Sequence, residues 1–255
     1  MSIRVIVAAH KAYRMPEDPM YLPIHVGKAG KDLDLGYQGD DAGEDNISRK
    51  NSTFCELTGL YWAWKNLRDD YIGLAHYRRH FRGGSRGDKW DRILTEREAA
   101  ELLKTVDVLL PKKRRYWIET CYNQYVHAHP AEGLDLALEI ISAQGEAYAR
   151  AVGSFRRRRW THLFNMFIMK RERFDAYCAW LFPILFEMEE KLDLTGWSQN
   201  DRRVFGFAAE RLLDIWLEAN GIAYGEVPVM FMEKQNWIKK GGAFLARKIL
   251  PSKGR

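Results

Sequence analysis

Cysteine is scarce in this chain. Cys55, Cys121 and Cys178 are the only three, far apart and never arranged as CxxC, which excludes a disulfide framework and a zinc knuckle and fits a reducing cytoplasm. No apolar run reaches the ~20 residues that a bilayer span requires, and a strand pattern begins two residues after Met1 where a leader would carry charge and a cleavage site. The expectation is a cytoplasmic protein, neither secreted nor integral to a membrane. GxSxG, a Walker loop, the kinase signatures and GxGxxG are all missing, which disfavours most familiar hydrolases, kinases and dehydrogenases. Internal repeats and low-complexity tracts are missing too.

What the chain does have is apolar, β-compatible stretches that run into cations. Tyr71-Ile72-Gly73-Leu74-Ala75-His76 leads into Tyr77-Arg78-Arg79-His80-Phe81, Ile3 to Ala9 into His10-Lys11, and Val106 to Leu110 into Pro111-Lys112-Lys113-Arg114-Arg115. Open α/β sheets bind ligands outside the carboxyl ends of their strands, so three such ends predict one shared pocket for a phosphorylated ligand. A net charge of +6 likewise favours anionic partners. With 255 residues and 46% hydrophobic content, the chain can fill the core of one large α/β domain and needs no second.

Tyr13 to Gly43 is rich in Gly, Pro and Asp and reads as a long surface excursion. Thr53 to Glu56 matches a capping box opening a helix through Leu67, and Thr95 to Glu98 matches a second box opening a helix to about Lys104. Strand, helix, strand, helix, strand over the first 110 residues predicts βαβ units and a mainly parallel sheet flanked by helices. Further helices are expected at Glu132 to Ala143, Arg171 to Lys191 and Asp201 to Ala219, with strands at Leu163 to Met169 and Ile222 to Val229.

Several clusters carry chemistry, each with a plainer alternative. His76, Arg78 and Arg79, at the end of a buried strand, need anionic partners; internal ion pairs to Asp69, Asp70 or Glu119 would serve as well. His10-Lys11 suits a nucleotide or a solvated turn. His127-Ala128-His129 with Glu132 and Asp135 offers acid/base or metal chemistry, or a helix cap with two half-buried histidines. Asp40-Asp41 is a weak metal candidate. Arg156 to Arg159 suits phosphates or RNA, although charge runs usually belong to solvated surface. Trp62-Ala63-Trp64 and Trp180-Leu181-Phe182 fit core better than sugar stacking.

Cys55-Glu56-Leu57-Thr58-Gly59-Leu60-Tyr61-Trp62-Ala63-Trp64-Lys65-Asn66 and Tyr71 to Arg79 resemble the bacterial family of domain of unknown function 4422. Leu110-Pro111-Lys112-Lys113, Ile118-Glu119-Thr120, His127-Ala128-His129, Phe164 to Met169 and Arg203 to Leu212 extend the resemblance over residues 3 to 230. Ala75 and His80, inside the histidine motif, depart from it. The resemblance implies a capsular or O-antigen glycosyltransferase, some members being linked to galactofuranose transfer. It also implies a GT-A-like, nucleotide-diphospho-sugar transferase fold, expected over residues 1–238; the basic tail from Lys239 to Arg255 extends past the similarity.

Under that reading His10 and Lys11 take the nucleotide end of the donor. His76, Arg78 and Arg79 take the diphosphate, assisted by Lys112 and Lys113. Glu119, His129, Asp135 and Glu210 stand unranked as base candidates. Transferases of this type usually hold a metal with Asp-x-Asp; here His-Tyr-Arg occupies that place, so no cofactor is expected. The expected partners are a nucleotide-sugar, a saccharide or lipid-linked saccharide acceptor and an anionic membrane surface met by the tail, with no nucleic acid. The rivals are a non-catalytic module binding nucleotide or anionic glycan, and an RNA-binding protein using Arg156 to Arg159.

Overall fold

The computed structural model describes residues 1–233, so the tail expected from Lys239 to Arg255 lies outside the described residues. In chain order the strands are β1 (Ile3–Ala9), β2 (Tyr21–His25), β3 (Gln38–Gly39), β4 (Tyr71–His76), β5 (Arg79–Phe81), β6 (Val108–Pro111), β7 (Arg114–Arg115), β8 (Trp160–Thr161), β9 (Phe167–Lys170), β10 (Gly225–Val227) and β11 (Val229–Phe231). The helices are α1 (Asn51–Phe54), α2 (Leu57–Asn66), α3 (Glu96–Leu102), α4 (Cys121–Val126), α5 (Ala131–Ser142), α6 (Glu146–Arg157), α7 (Arg171–Lys191) and α8 (Val204–Ala219).

β1 is the axis of the sheet because both of its faces are apolar. Ile6 and Ala8 point into the larger core with Ile24, Leu74 and the helices α1, α2, α5, α7 and α8, while Val5, Val7 and Ala9 point into a smaller one with Ala75, Leu109 and Ala99 of α3. That alternation is the strand pleat. The main path of the sheet runs β3-β2-β1-β4-β9-β6-β10, and β5 and β11 add an antiparallel ribbon beside β4. Neighbours are parallel except around β9, which lies antiparallel to both β4 and β6. α2 lies close enough to β1 and β2 that a Cβ on Gly59 would stand 2.9 Å from Val26 Cγ1.

The Thr95 capping box forms as expected, with Thr95 Oγ1 accepting from Glu98 N–H and Glu98 accepting from Thr95 N–H at 2.9 Å. The Thr53 box does not form. Thr53 Oγ1 instead donates to the Lys50 carbonyl, and the expected helix breaks into α1 and α2 at Cys55, whose φ is 54°. The excursion from Tyr13 to Gly43 holds two sheet strands, β2 and β3, disguised by Pro23 and by brevity. The strand expected from Leu163 starts only at Phe167, because Phe164 (φ 78°) and Asn165 (φ 52°) turn left-handed before it. α4 and α6 had no clear signal, and the Arg156 to Arg159 run proves to straddle the end of α6.

One buried imidazole sets an acid limit on this fold. His80 of β5 is fully buried between the Tyr21 and Trp90 rings, and neither ring nitrogen has a hydrogen-bond partner among the described residues. Burial first, and then the nearby His76, pushes its pKa down to about 4. The unfolded chain protonates the same ring near its ordinary value of about 6.5, so the contribution is complete above that value and is lost as pH falls towards the folded one. Urea denaturation of wild type at pH 7 and pH 4.5 should show a loss to which His80 contributes about 2 to 3 kcal/mol. His80→Phe should remove that share, leaving the smaller slope due to groups such as the buried His25; an unchanged slope in the variant counts against this account.

Candidate active site

β1 sends the chain outward to β2 and β3 on one side, and β4 resumes on the other, so the carboxyl ends of β1 and β4 flank a topological switch point. A crevice at such a point is where an open α/β sheet binds ligands. Here it is a cleft of about 560 Å³, walled by the ends of β1 and β4, the α1–α2 junction, the Phe164 turn and the first turns of α8. Helix and junction approach closely at Gly206, where an added Cβ would lie 3.1 Å from Cys55 Sγ.

His10, His76, Arg78, Arg79 and Glu210 all line this cleft, from three separate parts of the chain. His10 meets the Tyr77 ring edge-on at 5.3 Å; its pKa is lowered by burial and then by the Arg78 charge. Lys11 sits at the rim, 5.5 Å from the Tyr77 ring centre and 3.9 Å from Glu233. His76 Nε2 lies 2.6 Å from the Phe164 carbonyl oxygen, which can only accept, so Nε2 carries the proton and Nδ1 is the basic nitrogen of the neutral ring.

Arg78 pairs with Glu233 at 3.3 Å. Arg79 has no ion pair among the described residues; its guanidinium lies 4.6 Å above the Phe164 ring, and its Nε has no hydrogen-bond partner. Burial, and then the adjacent Arg78 charge, lower its pKa. A half-buried cation in this state is prepared for an anion. The internal partners weighed for these arginines are engaged elsewhere: Asp69 by Arg4, Asp70 by the amino terminus and Glu119 by His127.

The third strand end does not join them. β9 stands between β4 and β6, which moves Lys112 and Lys113 two strands away, roughly 10 Å along the sheet. Lys113 is held there by Glu226 at 2.9 Å and lies over the Trp160 ring, while Lys112 is exposed. Glu119 accepts from His127 Nδ1 at 2.6 Å, and Asp135 accepts from the Tyr122 hydroxyl and Arg156; neither lines the cleft. His129 stacks at 4.1 Å on Phe207, the cleft-lining ring, and so stands one layer behind it. Of the Arg156 to Arg159 run, Arg158 is tied to Glu218 and Arg159 to the Trp117 carbonyl. Asp40 is fully buried, accepting from Gly27 N–H, Lys28 N–H and the Ser48 hydroxyl, which leaves it a loop anchor. Among the described residues, no group of three or more His, Cys, Asp or Glu is placed to hold a metal ion.

Glu56 and Arg203 complete the cleft and were absent from the sequence-based set. Arg203 Nε donates to Cys55 Sγ at 3.2 Å, and its guanidinium lies 4.9 Å over the Phe207 ring. Burial pushes the Cys55 thiol up to about 12, so it is neutral near pH 7. Glu56 accepts from Asn165 Nδ2 at 2.7 Å, and the same amide donates to the Gly206 carbonyl at 3.1 Å. Glu210 accepts from Phe164 N–H at 3.1 Å and from Arg211 at 2.8 Å. The Phe164-Asn165 turn therefore bonds to β4, α8 and the α1–α2 junction at once. Cys55, Phe164 and Asn165 are the three non-glycine residues with positive φ among the described residues, and all three belong to this site.

Residues 4–221 match the family described as Domain of unknown function (DUF4422). The chain belongs to that family. Among solved structures it is similar to the WbbM bifunctional glycosyltransferase in its apo form, at 29% identity and a TM-score of 0.83, covering 92% of this chain. The chain spans 46% of the length of that protein. No curated protein matches it. The family expected from the sequence is thus the family found, and the mixed α/β domain with a mostly parallel, helix-flanked sheet is the fold of a glycosyltransferase neighbour.

The cleft's cations generate a first binding test. Arg79→Ala should weaken a nucleoside diphosphate by roughly 10- to 150-fold, as expected for losing a charge-assisted contact of about 1.5 to 3 kcal/mol. Arg78→Ala should cost less, since Glu233 already neutralises it in part, and the parent nucleoside should be affected little by either. Calorimetric titration with UDP and uridine measures both; equal losses for the two ligands would make the arginines structural.

Proposed function

We propose that this domain is a glycosyltransferase that moves a sugar from a nucleotide-sugar donor to a saccharide acceptor. One observation carries the reading: at the sheet's switch point the cationic Arg78, Arg79 and Arg203 share a single cleft with the carboxylates Glu56 and Glu210. A departing diphosphate needs the first group and an acceptor hydroxyl needs the second. A module that only held nucleotide would have no use for carboxylates beside the phosphate. The likeness to a bifunctional glycosyltransferase supports the reaction class.

The geometry supports a finer division of labour. Arg79, without an ion pair among the described residues, and Arg78 beside it face the diphosphate, with Arg203 on the opposite wall and His10 and Lys11 towards the nucleotide. His76 is a positioning residue, because its Nε2–H holds the Phe164 carbonyl. Of the four base candidates named from sequence, only Glu210 reaches the cleft. UDP-galactofuranose is the donor, and a growing capsular or O-antigen saccharide the acceptor, to which the family resemblance points. Three guanidinium groups on the cleft support charge neutralisation of the diphosphate by side chains, making this a hexosyltransferase that works without an Asp-x-Asp metal site. Among the described residues no helix is long and apolar enough to cross a membrane; contact with the inner membrane surface is assigned to the basic tail.

The test is release of UDP from UDP-galactofuranose, with and without a galactoside acceptor, before and after EDTA. Transfer is expected, and turnover should change less than twofold on chelation. Loss of activity in EDTA that manganese restores would overturn the metal-free part; UDP binding without any turnover across a panel of nucleotide-sugars would favour the non-catalytic module.

A further inference from the structure

Two carboxylates reach the cleft, and their surroundings differ in a way that separates their roles. Glu210 is engaged at both oxygens: Oε1 by Phe164 N–H and Oε2 by Arg211, which is itself buried to 6% exposure. With one oxygen held by an N–H and the other by a buried guanidinium, this carboxylate is fixed by partners of its own and holds the turn rather than facing an acceptor.

Glu56 is half-buried and is held at one oxygen only, by the neutral amide of Asn165. Its Oε2 has no hydrogen-bond partner, and the side chain makes no ion pair, among the described residues. The amide is oriented without ambiguity, since Nδ2 faces two acceptors, Glu56 Oε1 and the Gly206 carbonyl. Backbone strain surrounds this carboxylate. Cys55, immediately before it, has φ 54° and ψ −132°, and its ligand Asn165 follows Phe164 in the left-handed region. Each such residue costs of order 1 to 3 kcal/mol, and such outliers cluster where function over-determines the geometry. Here they turn Glu56 out of the helix register and aim it into the cleft.

We propose that Glu56 is the base that takes the acceptor hydroxyl proton, and that Glu210 is a positioning residue that fixes the Phe164 turn. This rests on the glycosyltransferase reading. The acceptor O–H proton passes to Glu56 Oε2 while the acceptor oxygen forms a bond to the anomeric carbon of the donor. The bond from that carbon to the diphosphate oxygen breaks, and its electron pair leaves on the nucleoside diphosphate beside Arg78 and Arg79. Glu56 ends the step as a carboxylic acid and returns its proton to water. A base acting on the acceptor in a single displacement implies inversion at the anomeric carbon.

The experiment compares wild type, Glu56→Gln, Glu56→Ala and Glu210→Gln for UDP affinity by calorimetry and for UDP release from UDP-galactofuranose or whichever nucleotide-sugar of a panel is turned over. Glu56→Gln should lower kcat by about 10²- to 10⁴-fold, the usual share of a general base, with UDP affinity within about threefold of wild type, the margin expected when no phosphate contact is lost. The acid limb of the kcat–pH profile should vanish in Glu56→Gln and persist in Glu210→Gln, and added formate should restore part of the Glu56→Ala activity. Turnover of Glu56→Gln within tenfold of wild type, or an acid limb that survives in it, overturns the assignment. Wild type that neither binds UDP nor turns over any donor overturns the transferase reading instead.

Discussion

Two residues, Phe164 and Asn165, hold this site together. Their left-handed turn places a carbonyl on His76 of β4, an N–H on Glu210 of α8, and an amide on both Glu56 and the Gly206 carbonyl. Neither residue type adopts that backbone without cost, and each strained position is worth about 1 to 3 kcal/mol. Four hydrogen bonds, three of them to charged or ring groups in a half-buried setting, offset it. The turn is therefore stable only where β4, α8 and the α1–α2 junction already converge, and it in turn fixes their spacing.

The resulting cleft is electrically two-sided. The β4 side carries the guanidinium groups of Arg78 and Arg79, and the α8 and α1–α2 side carries Glu56 and Glu210 together with Arg203. In water such charges would pair and collapse. Here Arg79 rests on Phe164, Arg203 on Phe207, and Glu210 is committed to Arg211, so the charges are kept apart by rings and by prior engagements. That separation lets one pocket present cations and carboxylates side by side, as the proposed transfer requires.

What could be read from the linear chain was what depends on local period or on strand polarity. β1, β4 and the Thr95 box follow from pleat and cap chemistry, and His10, His76, Arg78 and Arg79 meet because parallel strands bring their carboxyl ends together. Glu56 was hidden by a local pattern that tertiary contact overrides: Thr53 and Glu56 have capping-box spacing, but the close approach of Gly206 to Cys55 breaks the helix there. Lys112 and Lys113 were drawn into the pocket because a strand inserted from far along the chain, β9, cannot be foreseen from the order of its neighbours. Glu119 and Asp135 are carboxylates whose partners, His127 and Arg156, become visible only when the helices are placed.

The antiparallel β9 also bears on how the protein comes into being. The strands β1 to β4 can pair as soon as the amino-terminal third of the chain exists, whereas β9 must thread into place between β4 and β6 much later. Such non-local pairing is slow, since loop closure precedes its reward. Because the Phe164-Asn165 turn leads directly into β9, the amide that holds Glu56 and the N–H that holds Glu210 reach the cleft only when that strand docks. A nascent or partly folded chain would hold Arg78, Arg79 and an unsupported Glu56 without Glu210 or the turn, so the complete cleft, and with it the transfer proposed above, arrives as an all-or-none event of folding.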